Sequence, residues 1–208
     1  MVRISGGLSC GRRLHIPPEG WIRPTMGRVR EAMFSMLGRH LPGAQVLDLF
    51  AGCGLLGLEA ISRGACATFF VDLEWKAVHC IEKNVTLCGV QANSTILQGN
   101  LLHNHTLSKV KLLADQKLAK QRPDGGARFD LVFLDPPYRK GLLAGTLRHM
   151  EQAELLAPGA IIVVEQEAEA EPDPFADWTM LQNRRYGDTR VIFWQEPTQA
   201  AMESSSLS

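Results

Sequence analysis

The chain predicts a doubly wound α/β fold, a mostly parallel sheet with helices on both faces. Three observations lead there. Short, uniformly apolar segments recur from residue 45 onward, each followed by a turn and a stretch of helical period. A glycine-rich turn, "AGCG", interrupts the first of these strand-to-helix passages. The 208 residues, 45% apolar and 21% charged, suffice for one good core, with room for a small appendage.

The elements can be justified in order. Apolar and basic residues alternate around glycines up to about residue 21 (Val2, Ile4; Leu14, Ile16), which predicts a small hairpin closed by Pro17-Pro18. From Pro24 the spacing changes. Val29, Ala32, Met33, Met36 and Leu37 form an amphipathic stripe with Thr25 placed to cap it, and Arg28, Arg30 and Glu31 fall largely outside it. Strands are then expected at 45–50 (QVLDLF), 67–71 (ATFFV, closed by Asp72), 94–98 (STILQ), 129–134 (FDLVFL) and 160–165 (AIIVVE). Helices fill 55–63, 75–88 and 142–153, the first two ended by Gly64 and Gly89. "TMLQNRRY" and "TRVIFW" around Gly187-Asp188 read as a closing hairpin. Residues 101–128 fit least well; they read as an excursion holding a polar helix, "SKVKLLADQKLAKQR". The division expected is a basic extension over 1–40, a main domain over 41–196 and a structureless tail over 197–208.

Charge is balanced overall but unevenly placed. Residues 1–40 carry seven arginines against two glutamates, and the remainder is correspondingly acidic. A basic end made wholly of arginine suits phosphate or a carboxylate, both of which guanidinium grips through two parallel bonds. Arg3, Arg12, Arg13, Arg23 and Arg30 are the side chains expected to do so. No apolar stretch approaches the roughly 20 residues that span a bilayer, and the start lacks the apolar centre of a signal peptide, so a cytoplasmic protein with no membrane partner is expected. Five cysteines without a C-x-x-C pair read as free thiols.

Gly52-Cys53-Gly54-Leu55-Leu56-Gly57 matches G-x-G-x-x-G between a strand and a helix, and Asp72 follows 20 residues on, where an acid accepts ribose hydroxyls. The pattern points to a nucleotide-containing ligand, a dinucleotide or S-adenosylmethionine. Asp48, inside the first strand, separates the two: its carboxylate would repel a pyrophosphate and attract the cationic amino and sulfonium end of the methyl donor. Phe50 and Leu73, beside the turn and beside Asp72, join the expected donor set.

Asp135-Pro136-Pro137-Tyr138 ends the fourth strand, at the edge where open parallel sheets bind ligands. A planar exocyclic amine is a poor nucleophile, since its lone pair is delocalised into the ring. To attack a methylsulfonium it must be held in line, with its hydrogens drawn to acceptors. The Asp135 carboxylate and the Pro136 carbonyl can be those acceptors, stiffened by the two prolines, while Tyr138 stacks on the base. Such a base must be flipped or unpaired. His103-Asn104-His105 lacks metal-ligand spacing and reads as an exposed loop, so no metal is expected. Cys53 reads as a packing residue, and Glu165 as a cap on the sheet edge.

These blocks resemble the bacterial small-subunit ribosomal RNA (guanine-N2)-methyltransferases of the RsmD type. The likeness rests on "RISGG…GRRLHIPP…IRPTMGRVREAMFSML", "VLDLFAGCGLLGLEAISRGA", "FDLVFLDPPYRKGLL" and "RRYGDTRVIFW", in order along nearly the whole chain. It implies a Rossmann-like S-adenosylmethionine-dependent methyltransferase with a mostly parallel seven-stranded sheet and a C-terminal antiparallel hairpin. The implied reaction methylates the N2 amine of a guanine in small-subunit (16S) rRNA, on free rRNA or an assembling subunit, by a monomeric enzyme. By the same resemblance Arg23, Thr25 and Arg28 help close the site over the donor and lead into the RNA, so that the phosphates expected on Arg3, Arg12, Arg13, Arg23 and Arg30 are those of RNA. Asn100, again by resemblance, stands where an acid commonly faces the adenine amine. Gly27 departs from the family's usual aspartate. Two rivals keep the same motifs: an amino-methyltransferase of DNA or other RNA, and an NAD-dependent oxidoreductase, for which Asp48 is misplaced and the DPPY turn has no job.

Overall fold

The computed structural model describes residues 2–17, 27–118, 128–137, 142–170 and 178–197. Among them, seven strands form one sheet: β1 (Gln45–Leu49), β2 (Ala67–Asp72), β3 (Ser94–Gln98), β4 (Phe129–Leu134), β5 (Leu156–Glu167), β6 (Thr179–Tyr186) and β7 (Thr189–Gln195). Their order is β3-β2-β1-β4-β5-β7-β6. The first five run parallel and β7 joins β5 antiparallel, forming the C-terminal hairpin with β6. Five helices connect them: α1 (Gly27–Leu37), α2 (Leu55–Ser62), α3 (Trp75–Cys88), α4 (Asn104–Leu118) and α5 (Leu142–Gln152).

The buried strands are apolar throughout because both faces of the sheet are covered. One face packs Leu47, Leu49, Phe69, Val132, Leu134 and Ile162 against α4 and α5; the other packs Val46, Phe133 and Val163 against α1 and α2. Strand order reverses after β3, so the chain leaves β1 toward β2 and later returns to its other side as β4. The crevice between the carboxyl ends of β1 and β4 is the point where open α/β sheets take their ligands.

The N-terminal hairpin forms as expected: Ile4 N–H donates to the Arg12 carbonyl (3.1 Å), Leu14 N–H to the Val2 carbonyl (3.0 Å), and Arg3 bridges Arg13. Its Val2, Ile4 and Leu14 share a core with Leu58 and Ile61 of α2 and with Ile81 and Val85 of α3. The hairpin and α1 are thus packed onto the sheet rather than standing apart from it.

Three expectations need correction. Arg30 was placed outside the α1 stripe, yet it is buried, and Phe34, fully buried, belongs to the stripe in place of the half-buried Ala32. The helix of the 101–128 excursion begins at Asn104, so the segment at 103–105 enters a helix rather than a loop; Leu107, Val110, Ala114 and Leu118 supply its buried face. β5 starts four residues early and absorbs Pro158 and Gly159 through a register shift against β4, the kind of irregularity at which a strand tolerates proline.

Gly57 shows how tightly α2 lies on the sheet. A methyl at this position would sit 2.4 Å from the Phe70 ring and 2.7 Å from the Thr68 methyl. Gly57→Ala is expected to destabilise the protein by about 1–3 kcal/mol, the usual cost of overpacking. Thermal unfolding measures this, and an unchanged melting temperature would contradict the packing described.

Candidate active site

The loop after β1 turns on three successive positive-φ positions, Phe50 (60°), Gly52 (58°) and Gly54 (77°). At Phe50, which carries a side chain, this conformation costs on the order of 1 kcal/mol, held in place by packing of its ring against the core. The loop therefore presents backbone without intervening Cβ atoms at 52 and 54. Gly54 ends it as the left-handed residue immediately before α2.

Two carboxylates fasten this loop. Asp48, 2% exposed, accepts the Gly57 N–H through Oδ2 (2.9 Å) and so caps α2 from inside the sheet. Burial pushes its carboxyl up to about 8, against the pull of that hydrogen bond, and the nearby Asp72 adds to the rise. Asp72, at the end of β2, accepts Gly52 N–H through Oδ2 (2.8 Å) and Glu74 N–H through Oδ1 (2.9 Å). Burial raises it as well, opposed by the same N–H groups. Each Asp72 oxygen keeps a second lone pair for a ligand hydroxyl. Leu73 follows, exposed on the rim.

Asn100 lies just past β3, beside Asp72, because Gly99 N–H donates to the Asp72 carbonyl (2.9 Å). Its side-chain oxygen, expected to face an adenine amine, already accepts Leu102 N–H (3.0 Å) in a local turn, which leaves one lone pair for a ligand. Across the switch point, Asp135 follows β4 half-buried, Pro136 is buried and Pro137 exposed. The structure thus brings Asp48, Phe50, Gly52, Gly54, Gly57, Asp72, Leu73, Asn100, Asp135, Pro136 and Pro137 to the carboxyl edge of one sheet. Tyr138, Arg23 and Thr25 lie outside the described residues.

Among the arginines, Arg3, Arg12 and Arg13 are exposed on the hairpin, where Arg3 also donates to the Gly11 carbonyl and Arg12 to the Leu87 carbonyl. Arg28 is exposed in the first turn of α1. Arg30, assigned above to RNA, is instead 6% exposed, ion-paired with Glu59 at 3.6 Å and donating to the Arg3 carbonyl (2.8 Å). It is withdrawn from RNA because Glu59, fully buried, requires its charge.

That node was missed in the sequence. Glu59 also pairs with Arg63 (2.8 Å) and accepts both the backbone N–H and the hydroxyl of Ser5 (2.7 Å each), so it ties the hairpin and α1 to α2. The available signal was Glu59 itself, the one charged residue in the α2 sequence "LLGLEAIS". Asn84 of α3 was missed too. Fully buried, it accepts His15 N–H (2.7 Å) and donates to the carbonyls of His15 and Cys53 (2.9 Å each), clamping the glycine loop to the end of the hairpin.

Cys53 is buried, and burial above all pushes its thiol up to about 12, which suits a packing residue rather than a nucleophile. All five cysteines are free. Among the described residues no group of His, Cys, Asp and Glu could hold a metal ion, and no helix is long and apolar enough to cross a membrane. A polar cleft of about 410 Å³ opens at the opposite, amino edge of the sheet, lined by His40, Gln45 and Asp130 among others. It lies at the other end of the strands from the glycine loop and the proline turn.

The profile of the family described as "Conserved hypothetical protein 95" matches residues 2–195. The chain is 32% identical to ribosomal RNA small subunit methyltransferase D of Escherichia coli K12, over 98% of this chain and 94% of that protein. It is 31% identical to the protein of the same name from Haemophilus influenzae, over 93% of each. The solved structure of the Escherichia coli protein yhhF is 33% identical and superposes with a TM-score of 0.75, covering 95% of this chain and 99% of that one.

Proposed function

The chain belongs to the conserved hypothetical protein 95 family, that of the RsmD-type rRNA methyltransferases, and on that premise we propose that it methylates the N2 amine of a guanine in small-subunit rRNA. The coarser activity, methyl transfer to rRNA, has the support of relatives that align along nearly the whole chain. The observation that supports methyl transfer to an exocyclic amine is the pairing, across one switch point, of a glycine turn fastened by Asp48 and Asp72 with the Asp135-Pro136-Pro137 turn; the choice of guanine N2 rests on the likeness of the opening block to the RsmD-type enzymes.

The residues fit S-adenosylmethionine. The turn lets a ligand approach bare backbone at Gly52 and Gly54, Asp72 offers lone pairs to ribose hydroxyls, and Leu73 and Asn100 border the place of the adenine. When bound, the donor supplies an electrophilic methyl on a sulfonium. Asp48 offers the opposite charge to its cationic end. On the acceptor side Asp135 and the Pro136 carbonyl draw the two amine hydrogens, aim the lone pair and leave Asp135 to receive the proton shed after transfer. Tyr138 would stack on the flipped base. Arg3, Arg12, Arg13 and Arg23 would hold the phosphates around it, with Thr25 and Arg28 closing over the donor. With rRNA as substrate, we take the enzyme to be cytoplasmic and to act as a monomer.

Transfer of tritiated methyl to small ribosomal subunits and to protein-free rRNA, followed by nucleoside analysis, tests this. N2-methylguanosine is the expected product; label in adenine, or in neither RNA despite donor binding, would refute the reading. Replacing Arg12 and Arg13 together by alanine is expected to flatten the plot of log affinity against log salt by about 1 to 2 units. An unchanged slope in filter binding would return both side chains to a merely solvated face.

A further inference from the structure

We infer that Glu165, near the carboxyl end of β5 and level with Asp135, reads the Watson–Crick edge of the acceptor base and thereby selects guanine. The inference rests on the guanine-N2 reading above and assigns its specificity to one side chain.

The placement comes from the register. β4 and β5 run parallel with Leu134 opposite Val164, so the next residues along the two strands are Asp135 and Glu165. Side chains alternate between the faces of a sheet. Leu134 and Val164 lie in the cluster under α4 and α5, whereas Phe133 and Val163 lie in the cluster under α1. Glu165 pairs with Val191, itself a member of the α1 cluster, so its side chain belongs to that face. Two carboxylates therefore stand level on neighbouring strands, Asp135 just past β4 at the switch point and Glu165 one strand further on, and Glu165 lies on the face that α1 covers.

Glu165 breaks the local pattern. It is 4% exposed at a position where alternation along "AIIVVE" calls for another apolar residue, next to Val163, Val191 and Phe193. Capping a sheet edge, the role read from sequence, needs no buried acid. Departures of this kind, where local pattern and burial disagree, concentrate at functional sites.

The chemistry fits one base. A carboxylate only accepts hydrogen bonds, and it offers two oxygens. Guanine presents two neighbouring donors on its Watson–Crick edge, N1–H and the N2 amine. Adenine presents an acceptor at N1 and cytosine one at N3, and either lone pair would face the carboxylate. Asp135 then takes the reacting amine and Glu165 takes N1–H.

The test exchanges donor for acceptor at N1. Once the methylated guanine is mapped, rRNA is made with 2-aminopurine at that position, which keeps the N2 amine, turns N1 into an acceptor and lacks O6. The loss of O6 is common to wild type and variants, so the change in preference on substitution at Glu165 reads N1. The wild type should favour guanine over 2-aminopurine by about 100-fold in kcat/KM. Glu165→Gln, whose amide can donate to N1, should lose about 10-fold or more on guanine and bring the two substrates within about 10-fold of each other, with donor affinity unchanged. Glu165→Asp, which keeps the carboxylate, should keep the preference for guanine at a reduced rate, and serves if the glutamine variant does not fold. Equal losses on both substrates in Glu165→Gln, or a lost preference in Glu165→Asp, overturn the inference alone. A wild type that transfers no methyl to guanine overturns the functional reading and this inference with it.

Discussion

Asp135→Ala is expected to abolish methyl transfer, with a loss of about 10³-fold or more, while donor affinity stays within about two-fold of the wild type. The two effects separate because Asp135 stands just past β4, across the switch point from the glycine turn that Asp48 and Asp72 fasten. An exocyclic amine attacks poorly unless its hydrogens are engaged, and alanine removes an acceptor without touching the donor half. Asp135→Asn keeps one acceptor oxygen and should lose less, since its amide can still take one hydrogen while competing with donors of its own. Single-turnover transfer together with calorimetric donor binding measures both quantities. Loss of donor binding along with transfer would move Asp135 to the donor side and leave the acceptor site without its central acid.

The second large effect concerns Asp48→Asn, which should weaken donor binding by about 10- to 100-fold yet make the protein more stable. The binding side follows from charge: an amide keeps the hydrogen bond from Gly57 N–H but cannot meet a cation. The stability side follows from linkage. The Asp48 carboxyl is raised from its ordinary 3.8 to about 8 by burial, so the folded state holds a proton there that the unfolded chain has already released. Wild-type stability therefore falls as pH rises from about 4 to about 8. The asparagine variant has no such cost, and its advantage in melting temperature should be negligible near pH 4, grow through that window and level off above it. A cationic donor that favours the ionised carboxylate must also expel this proton. At pH 7, binding to the wild type should release nearly one proton, and binding to Asp48→Asn correspondingly less. Calorimetry in two buffers of different ionisation enthalpy reads that difference; equal release by both proteins would mean that Asp48 does not meet the donor's charge.

Much of the fold was legible because its signals are local. A strand buried on both faces announces itself as an apolar run, so β1, β2 and β4 fell close to their observed limits, and Gly89 marked the end of α3. The glycine turn and the proline turn were legible for the same reason, being contiguous motifs with fixed offsets. What escaped depends on partners far along the chain. Arg30 looked like one more exposed arginine until Glu59 appeared beneath it, 29 residues on. Asn84 looked like an ordinary helix polar residue, and only folding brings His15 and Cys53 to its amide. The acid that belongs at Asn100 by resemblance is replaced by a side chain already engaged with its own turn, an arrangement visible only in three dimensions.

The anchors of the N-terminal hairpin have a consequence for how the protein is made. Ser5 is held by Glu59, Ser9 by Ser62, Arg12 by the Leu87 carbonyl and His15 by Asn84, partners 53 to 75 residues further along the chain. At translation rates of about 5–20 residues per second, the arginine-bearing hairpin emerges several seconds before the helices that fix it. It leaves the ribosome early and is fixed late. Under the function proposed, an unfinished chain carries the charges for gripping RNA without the shape, and the grip would mature only when the helices that anchor the hairpin have folded, so that synthesis itself would delay substrate capture until there is chemistry to perform on it.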